Sequence, residues 1–339
     1  MNANFSNASG QNWKASSVVN GTPGTANSVA AADIAPEILN VTHFPFVPTH
    51  NDAVTITAKV VNDEASVPVV TLHWRVCAAV SPYTDPAFTT AAMFDDGAHG
   101  DALAGDGVFG VTLPAQANGA IIEFYLDAHD GANHARTWPA PALDETLTAV
   151  QTQNCLYQVD DTVYAAAQPI YRMVMKPADK VELVQINATT PAAPYPYGTG
   201  ETAADQSYSH ADFNTTWITT DGTGSELRYL AGARNRGHGS RKKLPEGFNV
   251  VFPNADTWQK ITSLNLNTQY PFSQLFGSAL LRKAGLAGPE SRPVQVRWNA
   301  ANAINAGTPS FGFYVANEVQ DSAFTGHHFP LDKIGRAHV

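Results

Sequence analysis

Two segments in the first half of the chain alternate apolar and polar residues with the period of a half-buried β-strand. They cover residues 54–60 and 70–76, and a third apolar segment follows at 121–128. Proline, glycine, asparagine and aspartate clusters separate these segments at the spacing of sandwich strands, and no helical period interrupts them. Because strands of this kind bury one face against a second sheet, we predict a β-sandwich over residues 34–150, with Trp74 in its core.

The pattern changes after a linker at residues 151–164. Beyond it, one segment repeats apolar residues at helical spacing and is followed by Gly285 as a C-cap, which predicts a helix over 272–284. The other apolar segments of this region favour strands, at 169–175, 214–219, 226–234, 248–252, 294–298 and 312–319. We therefore predict a multidomain chain in which residues 165–332 form an α+β lobe of antiparallel strands with one packed helix.

A loop inside the predicted sandwich carries four carboxylates on a glycine-rich segment. They are Asp95, Asp96, Asp101 and Asp106. Ca²⁺ takes about six to eight oxygen ligands, so these side chains are a candidate calcium site, although their spacing is not that of an EF-hand loop. The alternative, which we favour, is a hairpin connection in which aspartate and glycine supply the turn conformations. Similar loops occur in bacterial immunoglobulin-like modules, so we expect a sandwich of that type.

Charge and composition argue against several classes of protein. The formal net charge of −10 argues against nucleic acid as a main partner. No apolar run approaches the ~20 residues of a membrane span, and the amino end lacks the basic and apolar regions of a signal peptide. Cys77 and Cys155 allow one disulfide at most, and we favour two unpaired thiols because the cysteines are far apart in sequence.

The basic residues concentrate in one stretch of this acidic chain. Eleven of the 20 lysines and arginines lie between Arg228 and Arg297, whereas the first 160 residues carry four. The centre of the stretch, residues 234–243, has the sequence Arg-Asn-Arg-Gly-His-Gly-Ser-Arg-Lys-Lys. Such a loop predicts a local anion site, and phosphate is the obvious anion because Gly237 and Gly239 let the backbone approach it closely.

The ordered set of motifs around this loop resembles the amino-terminal half of the CotH (spore-coat protein H) kinase family. Members carry an arginine-glycine loop followed by a lysine and a strand, a Leu-Asn segment, a helix ending in residues like Leu-Phe-Arg-Lys-Ala-Gly-Leu, and a Tyr-x-x-x-Glu-x-x-Asp strand end. Here the Leu-Asn segment is 264–267, the helix ends at 281–286, and the last motif runs from Tyr314 through Glu318 to Asp321. Residues 1–32 resemble the end of a lamin-tail domain followed by a linker.

The CotH family is regarded as an atypical, secreted protein-kinase-like fold. The resemblance therefore implies that residues 165–332 are a kinase-like small lobe that binds ATP and Mg²⁺. It also implies phosphate contacts from the basic loop, with Lys242 or Lys243 held by Glu318 as in other kinase-like sites. The residues so assigned are Arg236, Arg241, Lys242, Lys243 and Glu318. The alternative is that the two arginines are solvated hairpin charges and that the glutamate is a structural partner of one of them.

The chain also departs from the family pattern. His238 and Gly239 replace the Asn and Ser that usually follow Arg-Gly, so no phosphate contact is carried over to these positions. In the family, Asn-x-Asp and Trp-Asp-x-Asp segments of a second lobe follow this region; neither follows residue 332 here, and we expect a truncated fragment. We also expect residues 333–339 to be a non-native tail, because Ile-Gly-Arg-Ala-His-Val is what a common sequencing adapter encodes.

The resulting hypothesis is a fragment of a secreted, extracellular or cell-surface bacterial CotH-type kinase. The fragment is expected to be inactive as given, whereas the full-length protein would phosphorylate surface proteins with ATP. A second hypothesis is an extracellular adhesion or scaffold protein, built of β-sandwich modules with a degenerate kinase-like platform. A third, a carbohydrate-binding module, requires exposed Trp13, Trp138 or Trp258, and we favour it least because buried tryptophan is commoner.

Overall fold

The computed structural model of the chain describes residues 2, 4–6, 8–163, 168–186, 210–237, 245–304 and 313–330. These residues divide into two compact units. The described residues of the first unit fall within 1–75, 86–117 and 123–154, and those of the second fall within 76–85, 118–122 and 155–339. The predicted tail at 333–339 lies outside the described residues.

Short strands build the first unit. They are β1 Glu37–Phe44, β2 Val54–Val61, β3 Val69–Val76, β4 Thr89–Met93, β5 Val108–Leu113, β6 Ile121–His129, β7 Ala135–Trp138, β8 Ala142–Leu143 and β9 Ala149–Val150. One sheet has the order β1-β2-β5, and a second has the order β6-β3-β4 with β7 also paired to β6. The strands predicted from the alternating segments are therefore confirmed as β2, β3 and β6. Before β1, the described residues hold a 3-10 turn at Gly10–Asn12 and no strand.

The alternation of β2 places every second side chain in the core. Val54, Ile56 and Ala58 are almost fully buried, whereas the threonines between them are partly exposed. This burial pattern is that of a strand packed on one face, as predicted. Trp74 was expected in the core but is only partly buried. It lies near the end of β3, whose last residue, Val76, is exposed.

His43 of β1 is a buried titratable group in the first unit. Its Nε2 lies 3.1 Å from the backbone oxygen of Phe46, and since a carbonyl oxygen only accepts, this nitrogen donates the hydrogen bond. Burial disfavours the charged imidazolium and lowers the pKa of His43 to about 4. The side chain therefore stays neutral in the folded protein across the range in which a solvated histidine becomes protonated.

We expect His43 to make the first unit sensitive to mild acid. Its pKa is about 4 in the folded state and ~6.5 in the unfolded state, so its stabilisation is complete above the unfolded value and is lost as the pH falls toward the folded value. The expected loss is about 2 kcal/mol between about pH 7 and pH 5. His43→Gln keeps a hydrogen-bond donor but cannot titrate. The free energy of unfolding from urea titrations should therefore fall less steeply with acid in the variant, and equal slopes would contradict the assignment.

Strands also dominate the second unit. They are β10 Cys155–Gln158, β11 Ile170–Val174, β12 Phe213–Thr220, β13 Ser225–Asn235, β14 Phe248–Val251, β15 Ser263–Asn267, β16 Ser291–Trp298, β17 Ala301–Asn302 and β18 Tyr314–Glu318. The helices among the described residues are α1 Pro177–Ile186, α2 Pro271–Lys283 and α3 Ser322–His328. The helix and strands predicted for this region are present, whereas α1 and α3 were not predicted.

The main sheet of the second unit closes on itself. Its strands follow the order β11-β12-β13-β14-β15-β18-β16, and β11 also pairs with β16 in parallel, which completes a barrel. The short β17 pairs with the end of β16. The predicted α+β class is therefore corrected to a mostly β class in the described part of the chain, because seven strands form a closed sheet and the helices beside it are short.

Aromatic side chains fill the barrel. Tyr171, Trp217, Phe248 and Tyr314 have no exposed surface. Their rings meet neighbours mainly edge to face, with centroids 5.1 Å apart for Tyr171 and Trp217 and 5.0 Å apart for Phe248 and Trp298. The interior is therefore a packed core rather than a channel.

Helix α2 has the boundaries that its sequence predicts. Pro271 opens the helix, where its missing N–H costs no hydrogen bond. Gly285 ends the helix with φ of +74°, and the N–H of Leu286 donates to the oxygen of Leu281 at 3.0 Å. This is the left-handed glycine cap predicted for Gly285.

Candidate functional site

A row of asparagines crosses three strands on the outside of the barrel. Asn265 of β15 lies opposite Asn249 of β14 on one side and opposite Asn317 of β18 on the other. Their strand neighbours Leu264 and Ala316 belong to the barrel core. Because successive strand residues point to opposite faces, the asparagines face outward.

A cleft of 380 Å³ lies over Asn265 and Asn317 of this row, beside helix α2. We call it the amide cleft, and its principal lining residues are Arg236, Asn265, Asn267, Gln274, Asn317 and Glu318. Gln274 connects the helix to the sheet, because its Oε1 accepts hydrogen bonds from Asn267 at 2.8 Å and from Asn317. The Nδ2 of Asn249 donates to Asn265 at 3.0 Å. The cleft is thus polar and held by neutral amides.

Arg236 lies at one end of the amide cleft, directly after β13. Its backbone N–H donates to the oxygen of Gly247 at 2.8 Å, and its guanidinium donates to Oδ1 of Asn267. Burial, and secondly the charge of Arg234, lower the pKa of this guanidinium. Within the described ranges, no carboxylate lies at ion-pair distance from Arg236. The charge of a partly buried cation is not compensated by a neutral partner, so a bound anion would stabilise it.

The structure brings two of the predicted phosphate-site residues to one cleft. Arg236 and Glu318 both line the amide cleft. Arg241, Lys242 and Lys243 lie outside the described residues, so the proposed pairing of a lysine with Glu318 stays a prediction.

The described side-chain partners of Glu318 are two histidines that the sequence analysis did not single out. His327 and His328, at the end of α3, lie 3.2 Å and 2.8 Å from its two carboxylate oxygens. The second oxygen also accepts from the backbone N–H of Glu290 at 3.1 Å. The sequence feature that could have indicated this cluster is the His-His pair, which lies nine and ten residues after the glutamate, at the end of a short helix.

Glu318 also reaches the mouth of the barrel. There it lines a pocket of 270 Å³ with His327, and we call this the mouth pocket. Its walls include the core side chains Tyr171 and Trp258. The guanidinium of Arg292 lies 5.2 Å and 5.5 Å from the centroids of these two rings. Barrel mouths are frequent ligand sites because they combine apolar walls with a few polar groups.

The aspartate loop of the first unit uses its carboxylates locally. Asp95 accepts backbone hydrogen bonds from Gly105, Asp106 and Gly107. Asp101 accepts from Gly97 and His99, Asp96 accepts from Ala98 and the ring of His99, and Asp106 accepts from Val108. These contacts support the turn alternative, and the calcium site stays a prediction.

The groups of three potential metal ligands lie elsewhere in the described residues. Among the described residues, the groups with ligand atoms within 4.8 Å of one another are Glu318 with His327 and His328, and Asp33 with Asp130 and His134.

Other sequence expectations have clear positions in the structure. Cys77 and Cys155 are both buried and are not joined in a disulfide, as favoured, and burial raises the pKa of Cys155. Trp258 is buried and Trp138 is partly buried, whereas Trp13 is 58% exposed although buried tryptophan was favoured. Over the described ranges, no helix combines the length and apolarity needed to cross a membrane.

Comparison with known proteins bears mainly on the first unit. Residues 49–137 match the family model of the second immunoglobulin-like domain of conditioned medium factor, which supports an immunoglobulin-like sandwich. Among solved structures, the chain is similar to Spo0M, a sporulation control protein from Bacillus subtilis. That similarity covers 68% of this chain and 73% of the other at 7% identity with a TM-score of 0.21, which is too low to define the fold. No curated protein matches the chain.

Proposed function

We propose that the second unit is the nucleotide-phosphate-binding part of a secreted CotH-type atypical protein kinase. The full-length protein would transfer phosphate from ATP to surface proteins. The observation that carries this proposal is Arg236, a partly buried guanidinium with a neutral partner at one end of the amide cleft. Phosphate oxygens are suited to such a group because they accept charge-assisted hydrogen bonds.

The backbone beside Arg236 supports the same chemistry. Gly237 has φ of +101°, a conformation that favours glycine and leaves no side chain between the backbone and a ligand. Arg241, Lys242 and Lys243 follow a few residues later in the sequence and would add cationic donors. Amide groups of the cleft can donate to phosphate or ribose oxygens, and Mg²⁺ would be bound together with the nucleotide phosphates.

ATP affinity tests this proposal. We expect the full chain to bind Mg·ATP in calorimetric titration and Arg236→Gln to bind it roughly 10- to 100-fold more weakly, since a hydrogen bond to a charged group contributes roughly 1.5–3 kcal/mol. Binding should also weaken as salt screens the phosphate charge. The matched control is Arg234→Gln, because Arg234 lies only two residues earlier, on β13, but forms an ion pair with Asp212. Absence of ATP binding, or equal losses in both variants, would contradict the proposal.

The immunoglobulin-like match favours a second candidate, an extracellular adhesion or scaffold protein. Such modules commonly form binding surfaces, and the barrel would then be a platform without nucleotide chemistry. The same titration distinguishes the two candidates, because a scaffold requires no specific affinity for ATP and no effect of Arg236→Gln.

A further inference from the structure

The cluster of Glu318, His327 and His328 combines two imidazoles with a buried carboxylate. The side chain of Glu318 is 4% exposed, and those of His327 and His328 are 50% and 16% exposed. Carboxylate Oε1 lies 3.2 Å from Nδ1 of His327, and Oε2 lies 2.8 Å from Nε2 of His328. Three potential ligand atoms, one from each residue, lie within 4.8 Å of one another.

The two oxygen–nitrogen separations, 3.2 Å and 2.8 Å, are close to those of neighbouring ligands around one tetrahedral metal ion. Nitrogen and oxygen ligands lie about 2.0–2.2 Å from Zn²⁺, so two of them at tetrahedral angles are about 3.3 Å apart. Two histidines and one glutamate form a ligand set that zinc accepts while leaving a fourth position open. Mg²⁺ and Ca²⁺ prefer oxygen ligands alone, and the two imidazoles therefore favour a late first-row metal.

The local fold presents both histidines to the glutamate. Asp321 caps α3 by accepting hydrogen bonds from the N–H groups of Ala323 and Phe324 at 2.9 Å and 3.1 Å. Phe324 is buried, and its ring centroid lies 4.2 Å from that of His328. This contact restricts the orientation of the imidazole. Carboxylate Oε2, which contacts His328, also accepts a hydrogen bond from the backbone N–H of Glu290 at 3.1 Å. The ligand positions are therefore supported by a cap, a core contact and a backbone donor.

We propose that Glu318, His327 and His328 bind Zn²⁺ at the mouth of the barrel. Glu318 and His327 also line the mouth pocket, so the metal lies in its wall, and a water molecule or a small anionic ligand can take the fourth position. Arg282 and Arg292, which line the same pocket, favour an anion there. The inference goes beyond the proposed ATP site and depends on two histidines that do not line the amide cleft.

Metal titration of the full chain, after treatment with a chelator, tests the site. We expect one Zn²⁺ to bind in calorimetry and Co²⁺ to give the intense visible absorption of a four- or five-coordinate centre. The double variant His327→Ala/His328→Ala should bind Zn²⁺ more than about tenfold more weakly and lose this absorption, since removal of even an outer partner of a ligand costs about 10- to 100-fold. Zn²⁺ affinity should also fall in acid, because the imidazoles must be deprotonated to bind.

The controls separate a metal centre from a hydrogen-bonded cluster. The single variant His327→Ala removes a half-exposed side chain and serves if the double variant does not fold. His50→Ala removes an exposed histidine of the first unit and should leave Zn²⁺ binding unchanged. Unaltered Zn²⁺ affinity in both His327 variants, or Co²⁺ that keeps the weak absorption of the hydrated ion, would overturn the proposal and leave only hydrogen bonds between the three residues. The histidine variants test the metal and Arg236→Gln tests ATP, so failure of one proposal is distinguishable from failure of the other.

Discussion

Replacing Trp217 by alanine is expected to destabilise the barrel by about 3–5 kcal/mol, the usual cost of removing a large buried aromatic side chain. Trp217 has no exposed surface. Its ring centroid lies 5.1 Å from that of Tyr171, 5.7 Å from that of Phe252 and 5.8 Å from that of Trp258. Alanine would remove all three contacts and leave a cavity at the centre of the second unit, where the surrounding strands cannot collapse without breaking a closed sheet.

The matched control is Trp217→Phe. The indole Nε1 of Trp217 is buried and has no hydrogen-bond partner in the described part of the chain. Phenylalanine removes this unsatisfied donor and keeps most of the aromatic contacts, so the loss should be smaller than for alanine. Hydrogen exchange with mass spectrometry, combined with guanidinium denaturation, would assign the effect to strands β11 to β18. A loss in Trp217→Phe equal to that in Trp217→Ala would contradict the prediction, because it would mean that a phenyl ring recovers none of the packing lost with the indole.

The strands could be predicted because apolar and polar residues alternate along them as the buried and exposed faces do. In β2, the alternation over residues 54–60 is the burial pattern itself. In β13, Tyr229, Ala231 and Ala233 are buried at every second position in the same way. A period of two is a local property of the sequence, and it needs no knowledge of the partner strands.

Barrel closure could not be predicted from such local patterns. It depends on the parallel pairing of β11 with β16, in which Ile170 lies opposite Gln295 and Met173 lies opposite Trp298. These partners are far apart in sequence, and neither strand carries a residue that specifies the other. The sequence therefore predicted antiparallel strands with a helix but not the closed arrangement that defines the mouth pocket.

Helix α2 was predicted from the sequence, but the face with which it packs on the barrel was not. Its apolar residues have helical spacing, and the predicted helix is present. Yet Phe272, Phe276 and Leu280 are 57%, 70% and 56% exposed, whereas Ser278 is buried, with its Oγ 2.8 Å from that of Ser291. The helix places a polar face on the polar outside of the barrel, so the period identified the helix but not the face that packs.

The candidate sites were also predictable only where their residues are close together in the sequence. Arg236 was identified from a local cluster of basic residues and glycines. Glu318 was assigned by family resemblance to a lysine partner, whereas its described neighbours are the histidines of α3. The amide cleft depends on the register that aligns Asn249, Asn265 and Asn317 across three strands, and no local motif encodes that register.

The first unit contains a buried ion pair whose disruption should also be severe. Glu123 of β6 is almost fully buried, and its Oε2 accepts a hydrogen bond from Nε of Arg75 at 2.7 Å. Its Oε1 accepts from Nδ2 of Asn154 at 2.7 Å. The guanidinium of Arg75 also lies 4.1 Å from the ring centroid of Phe88, so the cation is held between a carboxylate and an aromatic face.

Arg75→Met is therefore expected to destabilise the sandwich by about 3–5 kcal/mol, because it removes the cation and leaves a buried carboxylate without its charge partner. The double variant Arg75→Met/Glu123→Met removes both charges and keeps similar side-chain volume. It should be more stable than the single variant, since the cost lies mainly in the uncompensated carboxylate rather than in the lost contact. Urea denaturation of the parent, both single variants and the double variant gives the coupling free energy. Losses that simply add would mean that the two side chains stabilise the sandwich independently, through packing on Phe88 and hydrogen bonding to Asn154, and that the ion pair itself contributes little.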